Sequence, residues 1–170
     1  MQERESKKLQ EAVLRKYRCC FTGHRPEKLR SPEWLTKRAF RKEIQDAIND
    51  GYSEFITGMS RGVDIWAGEI ILDLKAKGVP VRLICAVPHP DFEQSWSNAW
   101  QHRYQRILQN ADLVRTISSA YYRGCYQVRN QWMVEHSARV IAVFVGSTGG
   151  TFNTLEYAID QGVETRIVRR

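Results

Sequence analysis

Hydrophobic residues along this chain switch period repeatedly, from short runs rich in Val, Ile, Phe and Cys to longer stretches in which apolar residues recur every three or four positions. The first pattern predicts strands and the second amphipathic helices. Strands are predicted at 18–23, 53–57, 81–87, 112–117, 139–145 and 164–168. Phe40, Ile44, Ala47 and Ile48 mark the buried face of a helix opened by Ser31 and Pro32 and stopped by Gly51. Ala67, Ile70, Ile71 and Leu74 do the same for a helix capped by Asp64 and ended by Gly78. Further helices are read around 97–109, with Trp100, Tyr104, Ile107 and Leu108 inward, over 125–136, and from the 146–151 loop to Gln161. Strand, turn and helix alternating along most of the chain predict βαβ units around a parallel sheet. The run from Val140 to Val145 is apolar at every position, so both faces must be covered and the strand should lie centrally.

The expected architecture is an α/β, doubly wound, mainly parallel sheet in three α/β/α layers, because crossovers between parallel strands are right-handed. With 170 residues there is material for one core. That domain is assigned to 18–170, behind a charged helical extension over 1–17 with Leu9, Val13 and Tyr17 on one side. The extension mixes Glu and Lys without an apolar stretch, unlike a secretory signal. No apolar run approaches the roughly 20 residues of a membrane span, and a cytoplasmic location is expected. Cys19, Cys20, Cys85 and Cys125 show neither a CxxC pair nor zinc-like spacing, and His24, His89, His102 and His136 are scattered, so no metal is expected and the thiols read as buried and reduced. The net charge of +7 allows an anionic partner, nucleic acid or phosphorylated metabolite, but Lys and Arg are spread over the chain and are equally those of a solvated basic surface.

Three turns carry candidate chemistry. Gly146-Ser-Thr-Gly-Gly-Thr151 joins a buried strand to a helix start, where unpaired N–H groups and the helix dipole favour phosphate or carboxylate. Thr151 and Thr154 add hydroxyls; the alternative is a simple tight turn. Gly58-Met59-Ser60-Arg61-Gly62 leads to Asp64 and adds a guanidinium. Thr22-Gly23-His24-Arg25-Pro26 is a third turn of the same kind. In open α/β sheets ligands bind beyond the carboxyl ends of the strands, where the winding reverses, so the three turns are expected to meet in one pocket. Arg129 and Asn130 belong near the same edge, or else to plain helix surface. Trp132 and Met133 read as core. Trp96, Trp100, Tyr121 and Tyr122 are candidates for a base-binding wall or lid, with ordinary packing as the alternative. Neither the Walker sequence nor GxGxxG occurs, which argues against a P-loop NTPase or an ordinary dehydrogenase.

Taken in this order, Thr22-Gly-His-Arg-Pro26, Gly58-Met-Ser-Arg-Gly-Val-Asp64, Arg129-Asn-Gln-Trp-Met-Val134 and Gly149-Gly-Thr-Phe-Asn-Thr154 resemble the YpsA-like branch of the SLOG superfamily, which also holds the Lonely Guy cytokinin-activating hydrolases and the DNA-processing protein DprA. The resemblance implies a Rossmann-like fold with strand order 3-2-1-4-5-6 and a nucleotide site for an NAD-, ADP-ribose- or AMP-like ligand, with no other cofactor required. It implies that Gly149, Gly150 and Thr151 hold phosphate, and that Gly58, Arg61 and Asp64 contact the sugar-phosphate. A homo-oligomer is implied on the same ground. The hydrolases place a catalytic glutamate where this chain has Thr154; Glu156, two residues on, is turned about 200° around a helix. If the chain is an enzyme, it is expected to hydrolyse a nucleotide N-glycosidic bond with Asp64 or Glu156 as carboxylate and Arg129 steadying the phosphate. Binding without turnover is the leading expectation, and DprA-like binding of single-stranded DNA is a further alternative.

Overall fold

The period-two alternation of the strands is shared between two cores, one on each face of a single sheet. The computed structural model describes residues 1–146 and 148–168. Six strands, β1 (Arg18–Gly23), β2 (Glu54–Thr57), β3 (Arg82–Val87), β4 (Leu113–Thr116), β5 (Arg139–Val143) and β6 (Glu164–Val168), alternate with helices α1 (Gln2–Arg15), α2 (Glu33–Asn49), α3 (Val63–Ala76), α4 (Asn98–Asn110), α5 (Cys125–Glu135) and α6 (Gly150–Asp160). Phe21, Phe55, Leu83, Cys85, Ile141 and Val143 turn to one core with Phe40, Ile44, Ile71 and Ile107 of α2, α3 and α4. Their strand neighbours Cys20, Ile56, Ile84, Ala86, Val140 and Ala142 turn to the other with Met133, Val134, Leu155 and Ala158 of α5 and α6. The result is the expected three-layer sandwich. The α3 helix is buried on nearly every side, Val63 to Gly68 without a break, as befits a helix apolar all round.

All five strand pairings are parallel. The order is β4-β3-β2-β1-β5-β6, which corrects the order 3-2-1-4-5-6 implied by resemblance: β4 flanks β3, and β5 takes the place beside β1. Side-chain character accounts for this. All four residues of β4 are exposed and suit a sheet edge, whereas all five of β5 are buried and need neighbours on both sides. The chain therefore winds outward from β1 to β4, crosses back to β5 and continues the other way. The winding reverses between β1 and β5.

Two helix starts differ from expectation. The α2 helix begins at Glu33 behind Pro32, without a side-chain cap. The cap of α3 is Gly62, at φ 89°, and Asp64 lies inside the first turn. The strand expected to run to Val145 ends at Val143. The turn after β1 forms a short 3-10 helix at Pro26–Lys28 that periodicity did not indicate. Trp100 and Leu108, expected inward on α4, are half-buried, while Tyr104 and Ile107 are buried. Trp132 is half-buried and stacked 4.1 Å from His136. On α1 no residue is buried.

Three arginines are held in ion pairs at the amino-terminal edge of the sheet. Arg18 and Arg82 both pair with Glu54, at 2.9 and 3.1 Å, and Arg139 joins Asp50 at 2.8 Å to Glu164 at 3.0 Å. These pairs lock strand ends rather than serve a ligand. No helix among the described residues is long and apolar enough to cross a membrane. All four cysteines are buried and unpaired, and burial pushes the Cys20 and Cys85 thiols up to about 12.

Candidate functional site

At the carboxyl edge, the reversal of winding leaves a cavity of about 360 Å³. Thr22, Gly23, His24, Arg25 and Lys28 line it from the end of β1 and its turn, Ser60 and Asp64 from the loop into α3, Tyr126, Arg129 and Asn130 from α5, and Gly150 and Thr151 from the start of α6. The three turns singled out in the sequence thus converge. His24 ties the two sides of the crevice, its Nε2 lying 2.8 Å from the carbonyl oxygen of Val145 and its ring stacking on Phe144. Beyond the β5 end that His24 holds, the helical ladder of α6 starts with the Asn153 N–H bonded to the Gly149 carbonyl at 3.0 Å. The N–H groups of Gly150, Thr151 and Phe152 precede that bond and are the orphan donors of a helix start, at the positive end of its dipole.

Two buried charges form the floor. Arg129 is 4% and Asp64 5% exposed. The guanidinium donates to the Gly58 carbonyl, to Ser60 Oγ at 3.4 Å and to Asn130 Oδ1 at 2.8 Å. Burial pulls its pKa below the ordinary value while Asp64 pulls the other way. The Ser60 N–H donates to Asp64 Oδ2 at 3.2 Å, but Oδ1 is buried without a partner. Burial raises the Asp64 pKa to about 6, against the opposing effect of Arg129 and the Ser60 hydrogen bonds. A buried carboxylate oxygen left unbonded is an unsatisfied acceptor in the floor of the crevice, a kind of group that folded proteins rarely leave without a functional reason.

The loop is shaped around this pair. A Cβ on Gly58 would lie 2.9 Å from Asp64 Oδ2 and 3.1 Å from the Arg129 guanidinium carbon. Met59 takes a left-handed φ of 64° with its side chain in the core, turning the chain sharply enough for the Ser60 N–H to face Asp64. Gly62, also left-handed, sits where a Cβ would meet the His24 carbonyl at 2.9 Å. Of the cations, Arg25 and Lys28 make no ion pair among the described residues. With Arg129 they outnumber Asp64, giving the crevice a positive balance.

The chain matches the family model described as the YspA SLOG family over residues 19–166. The chain belongs to the YspA SLOG family. Relatives include a UPF0398 protein of Halalkalibacterium halodurans, 30% identical over 110 residues, 64% of this chain and 58% of that one. A UPF0398 protein of Ligilactobacillus salivarius is 24% identical over 112 residues, 65% of this chain and 61% of its own. This YspA SLOG chain therefore spans about three fifths of the length of the relatives it matches. Among solved structures, DNA processing protein A from Helicobacter pylori superposes with TM-score 0.64 at 18% identity, over 93% of this chain and 67% of that one. The same protein from Streptococcus pneumoniae gives 0.65 at 16%, over 91% and 51%. The Helicobacter protein is described as binding single-stranded DNA; at these identities the likeness establishes the Rossmann-like fold of the family.

Within the YspA SLOG fold the candidate residues separate into groups. Thr22, Gly23, His24, Arg25, Ser60, Asp64, Arg129, Asn130, Gly150 and Thr151 line the crevice. Arg129 is buried, which overturns the alternative that it is helix surface. Gly58, Met59 and Gly62 shape the loop beneath. Arg61 reaches Glu27 at 2.5 Å and faces a neighbouring cavity. Gly149 caps α6 and Gly146 is exposed with φ 97°, both outside the cavity wall; Ser147 lies outside the described residues. Thr154 is buried and its hydroxyl is spent on the Gly150 carbonyl at 2.7 Å. Glu156 is exposed and does not line the crevice. Among the described residues no three His, Cys, Asp or Glu side chains are grouped to hold a metal. Sequence reasoning missed Lys28 and Tyr126. Tyr126 was findable, since 126, 129 and 130 share one helical face.

Proposed function

We propose that this crevice binds a nucleotide-derived, phosphate-bearing small molecule of the AMP, ADP-ribose or NAD kind. The observation that carries the reading is that the start of α6, at Gly150 and Thr151, and Asp64, whose buried Oδ1 has no partner among the described residues, line one and the same cavity. Anion donors and a lone acceptor in one lining are matched by a phosphate joined to a hydroxyl-bearing sugar. Lys28, Arg25 and Arg129 supply the positive field. Binding without turnover is favoured, because Thr154 stands where the hydrolases of the superfamily carry their glutamate and Glu156 is outside the cavity.

Isothermal titration of the purified chain with AMP, ADP-ribose and NAD, with chromatography of the same mixtures for released base or ribose phosphate, tests this. Saturable binding without product is expected. Released base would move the reading to N-glycosidic hydrolysis with Asp64 as the carboxylate, and absence of binding by all three would overturn it. A second reading, single-stranded DNA binding, is favoured by the fold shared with DNA processing protein A. It requires oligonucleotide affinity that persists at moderate salt, where a merely basic surface loses its hold.

A further inference from the structure

We infer that the crevice opens into an aromatic annex that takes the planar heterocycle of the same ligand, so that the protein selects base-bearing phosphates over plain sugar phosphates. This rests on the function proposed above. A second cavity, of about 510 Å³, shares Arg25, Ser60 and Tyr126 with the crevice, so the two are neighbouring rooms with a common wall. Its far side is built from Phe92, Trp96 and Trp100, on the segment between β3 and α4 and the first turn of α4.

The rings of this wall meet one another mostly at steep angles. Phe92 is buried and meets Trp96 at 72° and Tyr126 at 63°. Trp96 in turn meets Tyr104 at 89°. Both contacts of Trp96 are edge-type, and no ring among the described residues lies parallel to it. Trp100 by contrast already has the Arg103 guanidinium 4.6 Å over its ring, and Tyr126 has His89 stacked at 24°. Trp96 is half-buried and borders the cavity with no parallel ring among the described residues against it, which makes it the side chain there on which a flat ring would stack. Ser95, Ser97 and Arg61 on the same walls offer partners for the polar edges of such a ring. A sugar phosphate held in the crevice has nothing to place in this room; a nucleotide has its base.

The test compares AMP with ribose 5-phosphate on the intact chain, in wild type, Trp96→Ala and Trp96→Phe, with Tm recorded for each. AMP is expected to bind the wild type roughly 10-fold or more tightly than ribose 5-phosphate, the gain of stacking one base. Trp96→Ala should close that gap while leaving ribose 5-phosphate affinity in place, and Trp96→Phe should keep most of it. Should the alanine variant fail to fold, the wild-type comparison and the phenylalanine variant decide. Equal affinities in the wild type, or a gap that survives in Trp96→Ala, would overturn the annex and leave the phosphate crevice standing. Failure of both compounds and of ADP-ribose to bind would remove the crevice reading as well.

Discussion

Asp64 should make the protein less stable as pH rises, the reverse of an ordinary paired carboxylate. Its pKa moves from 3.8 in the unfolded chain to about 6 in the fold. Between those values the folded state holds the proton more tightly, so stability falls as pH rises through this window and is level above it. A shift of that size corresponds to about 3 kcal/mol at neutral pH, at no more than about 1.4 kcal/mol per pH unit. Asp64→Asn preserves an acceptor for the Ser60 N–H and imitates the protonated acid. Urea unfolding of wild type and variant from pH 4 to pH 7.5 should show equal stability near pH 4 and a variant advantage that grows to about 3 kcal/mol by pH 7. A variant less stable than wild type at pH 7 would refute the reasoning, since ionised Asp64 would then be a net stabilising partner of Arg129. A protein that retains such a carboxylate does so at a cost to its fold. The compensation expected is a ligand hydroxyl on Oδ1, and ligand affinity should accordingly weaken as pH falls through about 6.

Gly150→Asp should abolish AMP binding in titration calorimetry while leaving Tm unchanged, because a Cβ there meets nothing within 4 Å and a first-turn carboxylate suits the helix dipole; Gly150→Ala should bind nearly as well as wild type, and retained affinity in the aspartate variant would return the loop to a simple turn. Arg129→Ala removes the donor to the Gly58 carbonyl and the charge opposing Asp64, so thermal unfolding should report a loss of about 2–4 kcal/mol in addition to weaker binding; an unchanged Tm contradicts the buried role. In Gly23→Ala the new Cβ would stand 2.6 Å from Val63 Cβ, so denaturant unfolding should show a loss of roughly 1–3 kcal/mol that Val63→Ala, which keeps that Cβ, does not restore; an unchanged midpoint would contradict the close approach.

What the sequence determined by itself was the alternation of strands and helices, the parallel sheet in three layers, and the family of motifs that supplies most of the crevice. These are local properties: a strand records its two faces in residues i and i+1, a helix its buried face in i and i+4, and a glycine the turn that only it can take. The apolar run from Val140 to Val145 already required cover on both faces of the sheet. What waited for the tertiary structure was everything set by which elements become neighbours. The place of β4 followed from competition between two strands for the site beside β1, which the fully buried β5 won. Arg129 reads as either surface or site until α5 is laid against the loop at Gly58, and Thr154 reads as a free hydroxyl until its own helix claims it. The Asp64 pKa, the shared wall of the two cavities and the place of Trp96 on the second of them arise from residues far away in the chain, and no local pattern carries information about a neighbour that only folding brings near.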